Sequence, residues 1–123
     1  MTKDVLLAED DRFLRRACET KLKQCGFGVR IAVDGEEALA FARQRHPDLM
    51  LLDLLMPKRD GLSVLQALKA DEATRGIRVV ILSNSSKELE MQKASTLGAV
   101  GYWIKSNLSL QELCERVQGL LQG

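Results

Sequence analysis

Five times along the chain a short apolar run gives way to a polar turn. Each turn is followed by a stretch in which apolar residues recur every three or four positions. The apolar runs fall at residues 5–8, 27–33, 49–52, 79–82 and 100–104. Their length and their bounding turns predict strands. The intervening stretches predict amphipathic helices. The first helix carries Phe13, Leu14, Ala17, Cys18, Leu22 and Cys25 on one stripe and stops at Gly26, a residue suited to a helix C-terminus. The second follows Asp34-Gly35, presents Ala38, Leu39 and Ala42, and ends before His46-Pro47. The third presents Leu62, Val64, Leu65 and Leu68. The fourth, over about 88–97, has a thin stripe of Leu89, Met91, Ala94 and Leu97, and Gly98 ends it. The fifth has a clear one: Leu113, Cys114, Val117, Leu120 and Leu121.

Strands that alternate with helices at this spacing predict a parallel sheet with right-handed crossovers and helices on both faces. The run Leu49-Met50-Leu51-Leu52 is apolar at every position. A strand covered on both faces reads this way, so it belongs at the centre of the sheet. Residues 1–123 read as one domain, with no internal repeat, no low-complexity segment and no output domain. The opening methionine and the absence of a linker before Gly123 favour a stand-alone protein over an excised domain.

The strand assignment concentrates chemistry. Asp10, Asp53, Ser83 and Lys105 each lie at or just past the carboxyl end of an apolar run. In an open parallel sheet those ends share one edge, where ligands bind. The edge would gather carboxylates, a hydroxyl and an ammonium. Such a set is equipped to bind a divalent cation and to accept a phosphoryl group on an aspartate.

Composition removes other classes. Hydrophobic residues make up 46% and charged residues 28%, a globular rather than a disordered balance. A formal net charge of +1 gives no basis for broad binding to nucleic acid or to an anionic membrane. No run suits a signal peptide or a membrane span, so a soluble cytoplasmic protein is the expectation. The three cysteines, Cys18, Cys25 and Cys114, lack metal-site spacing and read as reduced, packed thiols. His46 precedes proline at a helix end and is assigned no chemistry. Asp11 reads as a helix cap, and Lys58 and Arg59 as solvated loop residues.

In order and spacing, Glu9-Asp10-Asp11, Asp53-Leu54-Leu55-Met56-Pro57 with Asp60-Gly61, Leu82-Ser83 and Tyr102-Trp103-Ile104-Lys105 resemble the response-regulator receiver domain. The resemblance spans essentially the whole chain. It implies a flavodoxin-like, CheY-like doubly wound α/β fold, with five parallel strands in the order 2-1-3-4-5 and five helices. It implies Asp53 as phosphoacceptor and Mg²⁺ as cofactor. Asp10, Asp53 and the backbone carbonyl of Leu55 would hold the ion, with Glu9 acting through water. Lys105 and Ser83 would contact the phosphoryl group, and Ser83 and Tyr102 would form the switch. The surface of the fourth helix, fifth strand and fifth helix would change on phosphorylation and bind a downstream protein. The phosphoryl donor would be a sensor histidine kinase or a histidine phosphotransfer protein, and the module a monomer or a phosphorylation-dependent dimer. It would catalyse only its own phosphorylation and slow autodephosphorylation, and would not be an enzyme on a separate substrate.

Two positions depart from the family pattern. Asn84 stands where a small residue is common; its amide would narrow donor access or bond a phosphoryl oxygen. Ser106 stands where proline often follows the lysine, which leaves the placement of Lys105 open. Leu55 and Ser85 occupy the positions that tune dephosphorylation and are poor at orienting water. The alternative function is a degenerate receiver acting as a constitutive protein-binding module. An aspartate-nucleophile phosphohydrolase would need an acid at Leu55. A nucleotide binder would need a glycine-rich first turn, and this one is acidic.

Overall fold

The computed structural model describes residues 2–122; Met1 and Gly123, the limits of the expected domain, lie outside the described residues. Five strands, β1 (Asp4–Ala8), β2 (Gly28–Ala32), β3 (Leu49–Asp53), β4 (Val79–Ser83) and β5 (Gly101–Ile104), alternate with five helices. The helices are α1 (Arg12–Gln24), α2 (Gly35–Gln44), α3 (Gly61–Ala70), α4 (Glu88–Thr96) and α5 (Leu110–Leu121), and a 3-10 turn at Lys105–Asn107 precedes α5. The strands are parallel and lie in the order β2-β1-β3-β4-β5, as expected. β3 is central, and each of its residues is buried.

Strand alternation divides the core into two layers. Leu6, Ala8, Met50, Leu52, Val79 and Ile81 face α2, α3 and α4. Val5, Leu7, Leu49, Leu51, Val80 and Leu82 face α1 and α5. Covering both faces is what makes the central runs uniformly apolar. The helix starts are set by side chains: Asp11 accepts from the N–H groups of Phe13 and Leu14, Asp34 from Glu37 and Asp60 from Ser63. Gly26 ends α1 at φ +96, a conformation costly for a residue with a Cβ.

Two expectations fail here. Phe13 is 81% exposed and sits outside the α1 core stripe, which Cys18 and Leu22 anchor. It is the second residue of the helix and belongs to neither core layer. The cysteines also differ from the all-thiol reading: Cys25 and Cys114 form a disulfide, and Cys18 alone is free and buried. The pair is 89 residues apart in sequence, and docking of α5 beside the end of α1 brings the two Cα atoms to 6.6 Å. Spacing along the chain carries no trace of such a contact.

Candidate functional site

The site is assembled at the carboxyl edge of the sheet, where β1, β3 and β4 end and the turn after β5 begins. Asp53 is the last residue of β3 and is 4% exposed. The chain behind it is packed tightly: a Cβ at Gly61 would come within 2.3 Å of the Asp53 carbonyl oxygen. The loop from Leu54 to Asp60 is therefore drawn back across β3, with Gly61 N–H donating to the Leu54 carbonyl at 2.8 Å. That return leaves the Asp53 side chain facing the edge. The amide of Leu55 approaches Asp53 Oδ1 at 3.4 Å.

Glu9 and Asp10 follow β1. Glu9 is 1% exposed, whereas Asp10 is open to solvent. Oxygen atoms of Glu9, Asp10 and Asp53 all lie within 4.8 Å of one another. Lys105 reaches across from the turn after β5, with Nζ 2.6 Å from Glu9 Oε1 and 3.0 Å from Asp53 Oδ1. Despite that short ion pair, Glu9 Oε1 has no partner in hydrogen-bond geometry. Glu9 Oε2 accepts from Asp11 N–H at 3.1 Å.

Like charges in a buried space cost energy unless compensated. Burial, reinforced by the hydrogen bond and charge of Glu9, pushes the Asp53 carboxyl up to about 7 against the partial relief given by Lys105. Burial also opposes the charge on Lys105, but Glu9 and Asp53 outweigh it and hold its ammonium above the ordinary lysine range. One lysine thus answers three carboxylates, and an oxygen-seeking divalent cation fits the remainder. The burial-hindered Asp53 and the oxygens of Glu9, Asp10 and Asp53 lying within 4.8 Å of one another are the marks of that fit.

Ser83 ends β4 and is buried, and its Oγ accepts from Ser85 N–H at 2.9 Å. Tyr102, half-buried on β5, donates its hydroxyl to the Ser85 carbonyl at 2.8 Å. The two expected switch residues therefore meet through one intervening residue. Asn84 makes a contact that the sequence reading did not include: its Oδ1 accepts from the backbone N–H of Ser106 at 3.0 Å. Lys58, expected to be solvated, holds a positive φ of 67 and lies 3.5 Å from Asp34. The Glu37 N–H, aided by Lys58, keeps the Asp34 carboxyl below its usual range. Sequence reasoning missed the Asn84 and Lys58 contacts because each joins separate loops. A polar side chain beside a site residue was the only available signal for Asn84.

Comparison with known proteins bears on the family and the fold. A family model described as the response regulator receiver domain matches residues 5–118. The chain is 35% identical over 118 residues to the DNA-binding dual master transcriptional regulator RpaA of Synechocystis, covering 96% of this chain and 48% of that protein. It spans about half the length of the first curated relatives it matches. Among solved structures, the chemotaxis response regulator CheY4 of Vibrio cholerae superposes with a TM-score of 0.90 at 25% identity, covering 98% of this chain and all of that one. The Mn²⁺-bound response regulator Rcp1 superposes with a TM-score of 0.82 at 34% identity, covering 96% and 91%.

Proposed function

Because the chain belongs to the response-regulator receiver domain family, we propose that it accepts a phosphoryl group on Asp53 from a sensor histidine kinase or a histidine phosphotransfer protein. The observation that carries this reading is the meeting of Asp53 with Lys105 at 3.0 Å inside a cluster that also holds Glu9 and Asp10. The Asp53 carboxylate attacks the phosphorus of a phosphohistidine. An O–P bond forms, the P–N bond breaks, and the imidazole leaves with the electron pair. The product is an acyl phosphate on Asp53. Lys105 offers a point charge to the phosphoryl oxygens, and Ser83 offers a hydroxyl donor.

Asp10, Asp53 and the backbone carbonyl of Leu55 would hold Mg²⁺, with Glu9 joining through water. That donor set is all oxygen and leaves room for the waters this ion retains. The bound ion supplies neutralisation of charge on the transferring group. That Rcp1 has a Mn²⁺-bound form supports the binding of a divalent cation here.

Phosphorylation brings nearly two negative charges to a pocket edge bordered by Ser83. The hydroxyl of Ser83 is drawn to them and releases Ser85, whose carbonyl anchors Tyr102. The response is thereby delivered to α4, β5 and α5, the surface assigned to a downstream protein. Leu55 has no group to orient water, and the Ser85 Oγ already accepts from Lys87 N–H at 3.3 Å. Autodephosphorylation is accordingly slow, with minutes to hours expected rather than seconds.

The chain modifies itself and is not a turnover enzyme on a separate substrate. Its formal net charge of +1 supports no direct role for this domain at nucleic acid or membrane. Among the described residues, no helix is long and apolar enough to cross a membrane, and we place the domain in the cytoplasm. It works as a monomer or as a phosphorylation-dependent dimer.

Intact mass after incubation with a small-molecule phosphodonor and Mg²⁺ tests the reading, with Asp53→Ala beside it. One phosphoryl adduct that requires both the ion and Asp53 is expected. No adduct with either the small donor or a phosphorylated histidine protein would leave the degenerate, constitutive binding module as the function.

A further inference from the structure

The placement of Lys105 needs an explanation. The β4–β5 ladder ends at the pair Ser83 and Ile104. Beyond it the chain leaves the sheet into the 3-10 turn at Lys105–Asn107. Yet the Lys105 side chain must pass β4 to reach Asp53 on β3. Inside the turn, one backbone bond runs from Leu108 N–H to the Lys105 carbonyl at 3.2 Å. The bond from Ser106 N–H to Asn84 Oδ1 ties the turn to the loop that follows β4, 22 residues away in sequence.

We propose that Asn84 is a positioning residue, whose side chain adds one rung beyond the end of the β4–β5 ladder and fixes Lys105 over Asp53. The proposal rests on the phosphoacceptor reading above. Each partner of the rung adjoins a residue that would contact the phosphoryl group: Asn84 follows Ser83, and Ser106 follows Lys105. Asn84 is itself aimed by its neighbours. Ser83 Oγ accepts from Ser85 N–H at 2.9 Å, closing a serine turn with Asn84 at its centre. The rung also depends on residue 106 having an N–H to give, which serine has and proline lacks. The two departures from the family pattern therefore act as a matched pair.

Four substitutions, used singly and in two combinations, separate this role from general stability. Asn84 is exposed, so Asn84→Ala keeps the fold. It removes the acceptor, and amide exchange at Ser106 speeds up in the unphosphorylated protein. Asn84→Asp retains an acceptor oxygen and restores the protection. Phosphorylation of Asp53 at saturating Mg²⁺ slows about 3- to 10-fold in Asn84→Ala, the range expected for one net hydrogen bond. The carboxylates follow β1 and end β3, so the substitution leaves their backbone in place. Ser106→Pro removes the donor and slows the reaction to a similar extent. The double variant is no slower than either single one, since all three lose the same bond. In a Lys105→Ala background, Asn84→Ala has no further effect. Unchanged Ser106 exchange in Asn84→Ala would overturn the proposal, and so would multiplying losses in the double variant or an undiminished loss without Lys105. A wild-type protein that takes up no phosphoryl group would defeat the functional reading alone, because the exchange measurement needs no phosphorylation.

Discussion

The two helices that flank β5 are built to opposite standards. α5 buries Leu113, Cys114 and Val117 against the sheet, and a reciprocal capping box between Ser109 and Glu112 closes its start. It is also joined covalently to the end of α1 through Cys114 and Cys25. α4 buries Ala94 alone, and its capping residue Lys87 makes no side-chain bond to the first turn. Leu89 on α4 is 63% exposed. Both helices border the surface assigned to the partner, but they cannot respond alike. Few buried apolar contacts mark a segment that opens at low cost. α5 is the fixed wall of that surface, and α4 is the part that phosphorylation can move.

The largest test of this contrast is truncation. Leu113→Ala leaves a cavity between α5 and the sheet and lowers unfolding free energy by about 2–5 kcal/mol. Leu89→Ala removes a side chain that water already reaches and changes it by no more than about 0.5 kcal/mol. Chemical denaturation of the two variants compares them directly. Equal losses would remove the distinction between wall and moving part.

The disulfide comes next. Opening it with reductant, or replacing both partners in Cys25→Ser/Cys114→Ser, lowers stability by about 2–4 kcal/mol through release of a long closed loop. Amide exchange should then rise in α5 and at the end of α1 and leave α4 unchanged. Thiol trapping on extraction reports the state of this pair in the cell, since disulfides are rare in reducing cytosol. Cys18 will trap poorly in either case: burial and the charge of Glu9 push its thiol up to about 11, against a small opposing pull from Lys105.

The pocket at the carboxyl edge of the sheet has its own signature. A carboxyl raised to about 7 in the folded protein, from 3.8, makes the folded state bind more protons than the unfolded one between those values. Stability of the metal-free protein therefore falls as pH rises toward 7 and levels off above it. Between pH 6 and 8 the Asp53 contribution amounts to about 1.4 kcal/mol, one unit of pKa difference. Asp53→Asn should flatten that slope, and saturating Mg²⁺ should abolish it. Mg²⁺ affinity should rise over the same interval, as the ion and the proton compete for Asp53.

Much of this arrangement was legible before any coordinates. Buried parallel strands leave uninterrupted apolar runs, so the strand order and the centrality of β3 followed from pattern and resemblance. The site residues were legible for the same reason, since parallel topology brings every strand end to one edge. The thin stripe of α4 was visible too. What escaped depends on how finished elements dock. Phe13 fits the helical stripe by period but joins neither core layer. Cys25 and Cys114 meet only once α1 and α5 are laid side by side. The bond made by Asn84 Oδ1 escaped as well. Its partner is an N–H on another loop, and backbone donors look alike in a sequence.

The smallest expected effect isolates the hinge between wall and moving part. Tyr102 stands on β5 between the two helices, and its hydroxyl reaches the Ser85 carbonyl at 2.8 Å, two residues short of the α4 cap at Lys87. Tyr102→Phe keeps the ring in the core layer that α4 faces and removes one neutral hydrogen bond, worth about 1 kcal/mol. Ser85 is part-buried, so water takes over some of that bond and global stability drops by less. The local consequence is larger than the global one, because little else holds the start of α4. Amide exchange should quicken across residues 85–96 and stay unchanged in α5. Phosphorylation should slow exchange in α4 in the wild type and do so less in Tyr102→Phe. If the substitution instead loosens α4 and α5 together, the two helices form a single cooperative unit, and the switch cannot be assigned to α4.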